Sequence, residues 1–237
     1  GQNLFGQSSV LDGDTALIGA PAHEPNNSPG EAGAAYVYSR DQGGANNWGQ
    51  VVKLLPADAN VLEDERFGQA VDLEGDTALI GAGLKDDKAG AAYIFYRDQG
   101  GADNWGEVVR LDPNDLTADD RFGQSSVSLS GDYAAVGAIK APGTGQSGAA
   151  YVFERDEGGA DNWGKTARLV PSDAANGDTV GQSLALVGET LLVGAQKHDD
   201  ANANAGAVWV YEPNTAGVWN EQIKINHPDA VNSAYFG

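Results

Sequence analysis

Hydrophobic residues occur along the chain in short runs that are separated by polar turns rich in Gly, Asp and Asn. Several runs are rich in β-branched or aromatic residues, such as TALIGA at residues 15–20 and AAYVYS at 34–39. Apolar residues fill consecutive positions in TALIGA, which is typical of a strand buried on both faces. No segment shows a sustained helical period. The pattern therefore predicts an all-β protein.

The same order of runs occurs four times, and each copy opens with Phe-Gly or Val-Gly. These openings lie at Phe5, Phe67, Phe122 and Val180, which are 62, 55 and 58 residues apart. A period of this length with several strand signals is typical of propeller blades or an array. The predicted repeats span about 5–66, 67–121, 122–179 and 180–235. No linker or change of composition separates them, so we predict a single repeat domain over residues 1–237.

Each repeat predicts four antiparallel strands. A short first strand, such as residues 69–73, is followed by a two-residue hairpin in which glycine permits a positive φ. The buried second strand leads through a variable loop to an aromatic third strand, and a Gly-rich turn leads to a fourth strand such as QVVKL. This order predicts β-propeller blades that pack face to face, because one blade cannot bury both faces of its sheet. The hairpins are predicted at Asp12-Gly13, Glu74-Gly75, Ser130-Gly131 and Val187-Gly188.

Charge and composition narrow the classes of function. The chain has 34 acidic and 14 basic residues, for a formal net charge of −20. Such a charge repels phosphate backbones, so a nucleic-acid partner is not expected. No apolar stretch approaches the roughly 18 residues of a membrane span. The chain has no Cys, which excludes disulfides, thiolate metal sites and a cysteine nucleophile.

The repeats resemble the FG-GAP repeat of integrin α-like proteins, most closely its bacterial variety. Phe5-Gly6 and Gly19-Ala20-Pro21 carry the full motif, while the other copies keep Phe-Gly or Val-Gly and Gly-Ala but lack the proline. The segments GDTALIGA, GAAYVF and GGADNWG carry the rest of the resemblance, which covers essentially the whole chain. It implies a β-propeller, typically seven-bladed, that acts outside the cell in adhesion or recognition.

The resemblance also raises the question of calcium. Integrin-type repeats often hold Ca²⁺ in an Asp-x-Asp-x-Asp-Gly loop between their first two strands, since hard cations need clustered oxygens. Here that position reads LDGD, LEGD, LSGD and LVGE, which is two residues too tight to surround an ion. No cofactor is therefore required, but calcium has another candidate site in the acidic linkers. Asp58, Asp115 and Asp173 each lie two residues after a proline, where they either cap a turn, which we favour, or bind a cation.

The loops between the second and third strands differ in length and are the candidate ligand-binding positions, because variation on a rigid frame is typical of recognition. His23 and His198 lie at the same offset in two of these loops. We interpret them as solvated, and a metal pair is the alternative if the two loops converge. The candidate residues in the loops are His23, Glu24, Asp86, Asp87, His198, Asp199 and Asp200.

A tryptophan recurs in the turn between the third and fourth strands. Packing is the favoured explanation, and a row of sugar-stacking rings is the alternative. Arg-Asp pairs also recur at residues 40–41, 97–98 and 155–156, where we expect a structural ion pair or a turn lock of small energetic effect. The tryptophans are Trp48, Trp105, Trp163 and Trp219.

No nucleophile elbow, HExxH, P-loop or Ser-His-Asp order is present. Together with the absence of these motifs, the FG-GAP resemblance implies a non-catalytic binding or adhesion module at the cell surface or outside the cell, with a protein or glycan as its ligand. Two alternatives remain. One is an accessory or lectin-like carbohydrate-binding domain of a larger secreted enzyme. The other is a structural subunit of a surface fibre or layer.

The number of blades is also open. Tyr235-Phe236-Gly237 repeats the register of Leu4-Phe5-Gly6. We expect the four repeats to form part of a larger propeller or repeat assembly, whose open blade faces would favour self-association. The alternative is a closed four-bladed ring, in which His23 and His198 would lie in neighbouring loops.

Overall fold

The computed structural model describes residues 3–24, 30–60, 63–142, 145–199, 204–228 and 234–237. Within these residues the chain forms sixteen strands in four antiparallel sheets, and the strand order in each sheet follows the chain. One helical turn, α1 (Lys85–Lys88), lies between the second and third strands of the second sheet. The all-β prediction is confirmed, and none of the described helices is long and apolar enough to cross a bilayer.

Each sheet is one predicted blade. Blade 1 consists of β1 (Ser9–Asp12), β2 (Thr15–Ala20), β3 (Ala34–Ser39) and β4 (Gly49–Leu54). Blade 2 consists of β5 (Phe67–Glu74), β6 (Thr77–Ala82), β7 (Ala91–Tyr96) and β8 (Gly106–Leu111). Blade 3 consists of β9 (Phe122–Ser130), β10 (Tyr133–Ala138), β11 (Ala149–Glu154) and β12 (Gly164–Leu169). Blade 4 consists of β13 (Ser183–Val187), β14 (Thr190–Ala195), β15 (Ala207–Pro213) and β16 (Trp219–Asn226).

The first two strands of each blade are joined by the predicted hairpin. In blade 1, Asp12 pairs with Thr15, and Gly13 between them has a φ of +55°. The glycine is needed here because L-residues seldom adopt this conformation. The same pairing joins Glu74 to Thr77 in blade 2.

Consecutive blades pack face to face. The back face of blade 2, with Leu79 and Ile94, packs on the front face of blade 3, with Phe122 and Tyr151. Small residues allow this approach, since a Cβ added at Gly81 would collide with the backbone of Gly123. Equivalent cores lie between blades 1 and 2 and between blades 3 and 4. We use "front face" for the side of a blade that meets the preceding blade and "back face" for the side that meets the following one.

The first strands of adjacent blades are linked by bonds from the main chain to a side chain. Gly75 N donates to Asp12 Oδ2 at 2.6 Å, and Gly131 N donates to Glu74 Oε2 at 2.5 Å. Gly188 N donates to Ser130 Oγ at 2.9 Å. The last residue of each first strand therefore holds the hairpin of the next blade. We call this set of bonds the inner ladder.

The four blades do not close into a ring. Phe5 on the front face of blade 1 is 51% exposed, whereas the equivalent Phe67 and Phe122 are 0% exposed. Leu192 on the back face of blade 4 is 37% exposed, whereas the equivalent Leu79 is 0% exposed. No strand of blade 1 packs on blade 4 as adjacent blades pack on one another. The alternative of a closed four-bladed ring is therefore wrong, and the blades form part of a propeller.

The segment at 234–237 lies where the opening of a further repeat would lie. Phe236 forms a parallel bridge with Gly206, as Phe67 does with Gly33 at the start of blade 2. Gly237 approaches Gly194 at the back face of blade 4. The register predicted for this segment from the sequence is therefore confirmed.

Candidate functional site

Antiparallel strand order places the connections of every blade at two opposite ends of the propeller. One end, which we call the loop face, carries the loops between the second and third strands and the linkers between blades. The other end, the turn face, carries the hairpins between the first two strands and the turns between the last two. The loop face therefore gathers the candidate loop residues and the linker aspartates, which are far apart in the sequence.

The linker aspartates contact basic residues of the following blade. Asp58 accepts hydrogen bonds from Tyr93 Oη at 2.9 Å and Arg110 Nη1 at 2.9 Å. Burial alone would raise the pKa of Asp58, but the Tyr93 hydroxyl and the positive charges of Lys85 and Arg110 outweigh it and lower the pKa. These contacts keep the carboxylate charged and join the linker to blade 2.

The other two linker aspartates have the same kind of partner. Asp115 lies 3.1 Å from Lys165 Nζ, and Asp173 lies 2.8 Å from Lys224 Nζ. These aspartates therefore form ion pairs with the next blade, and the favoured interpretation as turn caps stays a prediction. No group of three or more His, Asp or Glu side chains in the described part of the chain is arranged to hold a metal ion. Cation binding by Asp58, Asp115 and Asp173 stays a prediction.

A second carboxylate, two residues before each repeat opening, is buried under the loop face. Glu65 Oε1 lies 2.6 Å from Lys85 Nζ. Asp120 accepts bonds from the main chain and the hydroxyl of Thr117, and Asp178 lies 2.7 Å from His198 Nδ1. The sequence analysis missed these residues, although Glu65, Asp120 and Asp178 occupy one column of the aligned repeats.

His198 is buried rather than solvated, which corrects the interpretation from sequence. Its ring is 2% exposed and lies edge-on to Trp209 at 4.9 Å between centroids. Lys224 Nζ lies 2.9 Å from Nε2. Since an ammonium group only donates, Nε2 accepts this bond and Nδ1 donates to Asp178. His198 therefore connects a linker carboxylate to the fourth strand.

His23 occupies the equivalent position in blade 1 but is half-buried. Its Nε2 lies 3.3 Å from Lys53 Nζ. Burial lowers the pKa of His23, and the charge of Lys53 lowers it further, while Glu24 opposes both effects. His23 and His198 lie in blades 1 and 4, which do not pack together, so the condition for a metal pair is not met.

The loop of blade 2 holds its acidic residues in an unusual backbone conformation. Asp86 and Asp87 have φ values of 50° and 55°, a region that costs energy for residues other than glycine. Arg110 pairs with the Asp86 carboxylate. Asp119 N donates to Asp87 O at 3.2 Å and thereby ties the loop to the next linker. The Asp87 side chain is exposed.

The acidic residues of blade 4 are arranged differently. Asp199 Oδ1 accepts a hydrogen bond from Asn204 N at 2.6 Å, so Asp199 stabilises its own loop. Asp200 lies outside the described residues. Of the seven candidate loop residues, Asp86 and Asp87 are therefore the exposed acids whose loop is fixed to its surroundings from both sides.

The turn face carries the repeated tryptophans. Trp105 and Trp163 are 2% exposed, and Trp219 is 7% exposed. An arginine stacks on each of three rings at 5.1–5.3 Å from the centroid, namely Arg40 on Trp48, Arg97 on Trp105 and Arg155 on Trp163. The packing prediction fits the buried rings. Since a stacking platform needs an open ring face, we retain the sugar-stacking prediction for Trp48 alone, which is 39% exposed.

The repeated Arg-Asp pairs are not paired with one another. Arg40 Nε instead bonds to Asp14 in the hairpin at 2.5 Å, and Asp41 Oδ1 accepts from Asn46 N at 2.8 Å. The arginine thus joins the hairpin to the turn, while the aspartate closes the turn. The turn lock is present, but it is formed by two separate interactions.

A family model described as FG-GAP repeat matches residues 1–38, 48–95, 105–153 and 163–211, which together are more than half of the chain. The chain belongs to the FG-GAP repeat family. Three of the four FG-GAP matches begin at the tryptophan of a turn, so this unit contains the last strand of one blade and the first three of the next. A search of curated proteins finds no match.

Proposed function

We propose that this FG-GAP protein is a non-catalytic binding or adhesion module at the cell surface or outside the cell, and that its ligand is a protein or a glycan. The family supports a propeller-type binding module, and FG-GAP repeats are typical of extracellular proteins. Within the molecule, the loop face is the candidate contact surface, because loops of different length are mounted there on four packed sheets.

The observation that carries this proposal is the fixed loop at Asp86 and Asp87. A strained surface backbone persists only where the surroundings hold it, and such positions cluster at ligand sites. Here Arg110 holds Asp86, and the linker holds the main chain of Asp87 and Lys88 at 3.2 and 3.0 Å. The Asp87 carboxylate is thereby presented to solvent at a defined position. Cationic or hydroxyl-rich groups of a ligand are its complementary partners.

A carbohydrate-binding role is the second candidate, and Trp48 favours it. The ring of Trp48 is exposed on the turn face, where Arg40 lies over it at 5.3 Å. A sugar could stack on the remaining ring surface and bond to polar neighbours. The two candidates use opposite ends of the propeller, so variants at each end separate them.

The test is a binding screen of the immobilised chain against extracellular matrix proteins and a glycan array. Ligands found in the screen are then measured with Asp87→Asn, with Trp48→Ala and with the control Asp14→Asn. Asp14 is also an exposed acid, but it lies on the turn face and belongs to a surface ion pair of little energetic value.

We expect Asp87→Asn to weaken binding at least fivefold and Asp14→Asn to leave it unchanged. Loss of binding in Trp48→Ala, with Asp87→Asn unaffected, would establish the carbohydrate alternative instead. If neither variant changes the affinity for any ligand, or if the screen finds none, the proposed role of these faces is overturned.

A further inference from the structure

The third strand of each of the first three blades ends on a side chain directed at the following blade. These residues are Ser39 in β3, Tyr96 in β7 and Glu154 in β11. The neighbouring positions are closely repeated from blade to blade, whereas these three residues differ in size and charge. The gap between blades at the turn face is therefore filled by a different side chain at each boundary.

Between blades 2 and 3, Tyr96 fills this gap. Its hydroxyl donates to Asp161 Oδ1 at 2.7 Å and accepts from Trp163 Nε1 at 2.9 Å and Arg155 Nη1 at 3.1 Å. The Arg155 guanidinium also lies over the Tyr96 ring at 5.4 Å. Burial raises the pKa of Tyr96 to about 12, so the hydroxyl keeps the proton that it donates. Three groups of blade 3 thus converge on one phenol.

Between blades 1 and 2, the same three groups are present without the phenol. Arg97 lies over Trp105 at 5.1 Å, the distance at which Arg155 lies over Trp163. Arg97 Nη1 lies 3.7 Å from Asp103 Oδ1, and the equivalent distance from Arg155 to Asp161 is 3.9 Å. Since Ser39 stands where blade 2 has Tyr96, no phenol reaches these groups, and Arg97 Nη2 instead donates to Thr15 Oγ1 at 3.3 Å. None of the described residues forms a hydrogen bond with Trp105 Nε1.

The shorter side chain leaves a cavity of about 160 Å³ between the two blades. Val37 and Val51 are the aliphatic residues of its lining, and the other residues that line it are Thr15, Ser39, Gln42, Arg97, Asp103 and Trp105. A cavity of about 150 Å³ made by shortening a buried side chain in another protein is large enough to bind benzene. The cavity therefore has room for one aromatic ring, and its lining includes hydrogen-bonding groups.

We propose that this cavity binds a 4-hydroxyphenyl group, which is supplied by a small phenol or by a tyrosine side chain of another molecule. The ring lies against Val37 and Val51 and under the Arg97 guanidinium. The hydroxyl donates to Asp103 and accepts from Trp105 Nε1, as the Tyr96 hydroxyl does with Asp161 and Trp163. The site is specific to this boundary, because Glu154 and Pro213 stand in place of Tyr96 and Arg155 between blades 3 and 4.

The first experiment measures the binding of p-cresol to the chain by tryptophan fluorescence and by the shift in melting temperature. Toluene is the matched probe without a hydroxyl, and it should bind at least tenfold more weakly, since a site that bonds a hydroxyl discriminates against the analogue that lacks it. N-acetyltyrosinamide distinguishes the two sources. Binding comparable to that of p-cresol indicates a tyrosine side chain, and binding of p-cresol alone indicates a small phenol.

Two variants locate the site. Ser39→Tyr supplies the phenol within the chain, so it should raise the melting temperature and abolish p-cresol binding. Tyr96→Ser should create a second site, so that two equivalents of p-cresol bind and p-cresol restores part of the lost stability. If Tyr96→Ser does not fold, Ser39→Tyr still decides the question.

Three results would overturn the proposal. The first is no measurable binding of p-cresol at millimolar concentration. The second is equal binding of p-cresol and toluene, because the hydroxyl would then not be recognised. The third is unchanged p-cresol binding in a folded Ser39→Tyr variant, because the ligand would then occupy another place.

Discussion

Lys85 and Glu65 form an ion pair that is almost wholly buried beneath the loop face. Nζ lies 2.6 Å from Oε1, and the two side chains are 4% and 2% exposed. Lys85 Nζ also donates to the main-chain oxygen of Asp58 at 3.0 Å. Lys85 belongs to the loop that follows β6, and Glu65 and Asp58 belong to the linker that precedes β5. The pair therefore fixes the loop of blade 2 against its own linker.

Replacing Lys85 by methionine should lower the free energy of unfolding by about 3–5 kcal/mol, because it leaves the Glu65 carboxylate buried without its cation. Lys88→Met is the matched control, since Lys88 is exposed in the same loop and surface changes stay within about 0.5 kcal/mol. Urea unfolding measures both values. The double variant Lys85→Met, Glu65→Gln should recover part of the loss. A loss below about 1 kcal/mol in Lys85→Met would show that the pair contributes little to folding.

Because the back face of blade 4 is exposed, the same substitution should lower the free energy of unfolding by different amounts at equivalent positions of blades 2 and 4. Leu79→Ala should destabilise the protein by about 2–5 kcal/mol, because it removes a fully buried side chain between blades 2 and 3. Leu192→Ala should cost less than about 1 kcal/mol, because the side chain is partly exposed on the back face of blade 4. If the two costs are equal in denaturant unfolding, the back face of blade 4 is covered in solution. Light scattering of the same samples would then show an assembly larger than 24.5 kDa.

The acid stability of the protein should depend on Asp119. Hydrogen bonds from Lys140 and Arg121 lower the pKa of this carboxyl from 3.8 to about 2. A carboxyl whose pKa is lowered by folding stabilises the native state above its unfolded pKa, and this stabilisation is lost as the pH falls towards the folded value. Urea unfolding between pH 5 and about pH 2 should therefore show a smaller loss of stability in Asp119→Asn than in the parent chain. If the stability of Asp119→Asn and of the parent chain depends on pH in the same way, Asp119 does not contribute to acid stability.

Chelation should have little effect on folding. The first hairpins are too tight for the integrin-type calcium loop, and Asp58, Asp115 and Asp173 already pair with basic side chains. Treatment with EDTA should leave the melting temperature unchanged within error, because only a bound ligand stabilises the native state. A large fall that calcium reverses and magnesium does not would establish a calcium site. Variants of the three linker aspartates would then locate it.

The sequence predicted the blades well because strand and turn signals are local. The apolar run of β6 and the glycine of each hairpin follow from the preferences of neighbouring residues. Because the pattern occurs in four repeats, each predicted strand and hairpin is supported by four copies. The predicted first strand of blade 2, at residues 69–73, was shorter than β5 (Phe67–Glu74). The apolar run and the hairpin glycines can be recognised without knowing which residues pack against them.

The candidate site was harder to predict because its geometry depends on contacts between blades. His198 was interpreted as solvated, since nothing local shows that Asp178 and Lys224 enclose it. The environment of Tyr96 is created by residues of blade 3 that lie 65 and 67 positions further along the chain. A signal did exist in the aligned repeats, where Ser39, Tyr96 and Glu154 differ within an otherwise regular strand end.

The inner ladder bears on how such a chain can lengthen during evolution. At each joint one blade supplies a side-chain oxygen, as Asp12, Glu74 and Ser130 do, and the next blade supplies only a main-chain N–H. Every duplicated gene segment encodes that N–H unless its codon at the joint specifies proline, which has no main-chain N–H. A new copy inserted after a blade with an acceptor is therefore held in place at once, without a compensating mutation. Val187 breaks this rule in blade 4, so a duplication placed after that blade would begin with a weaker joint.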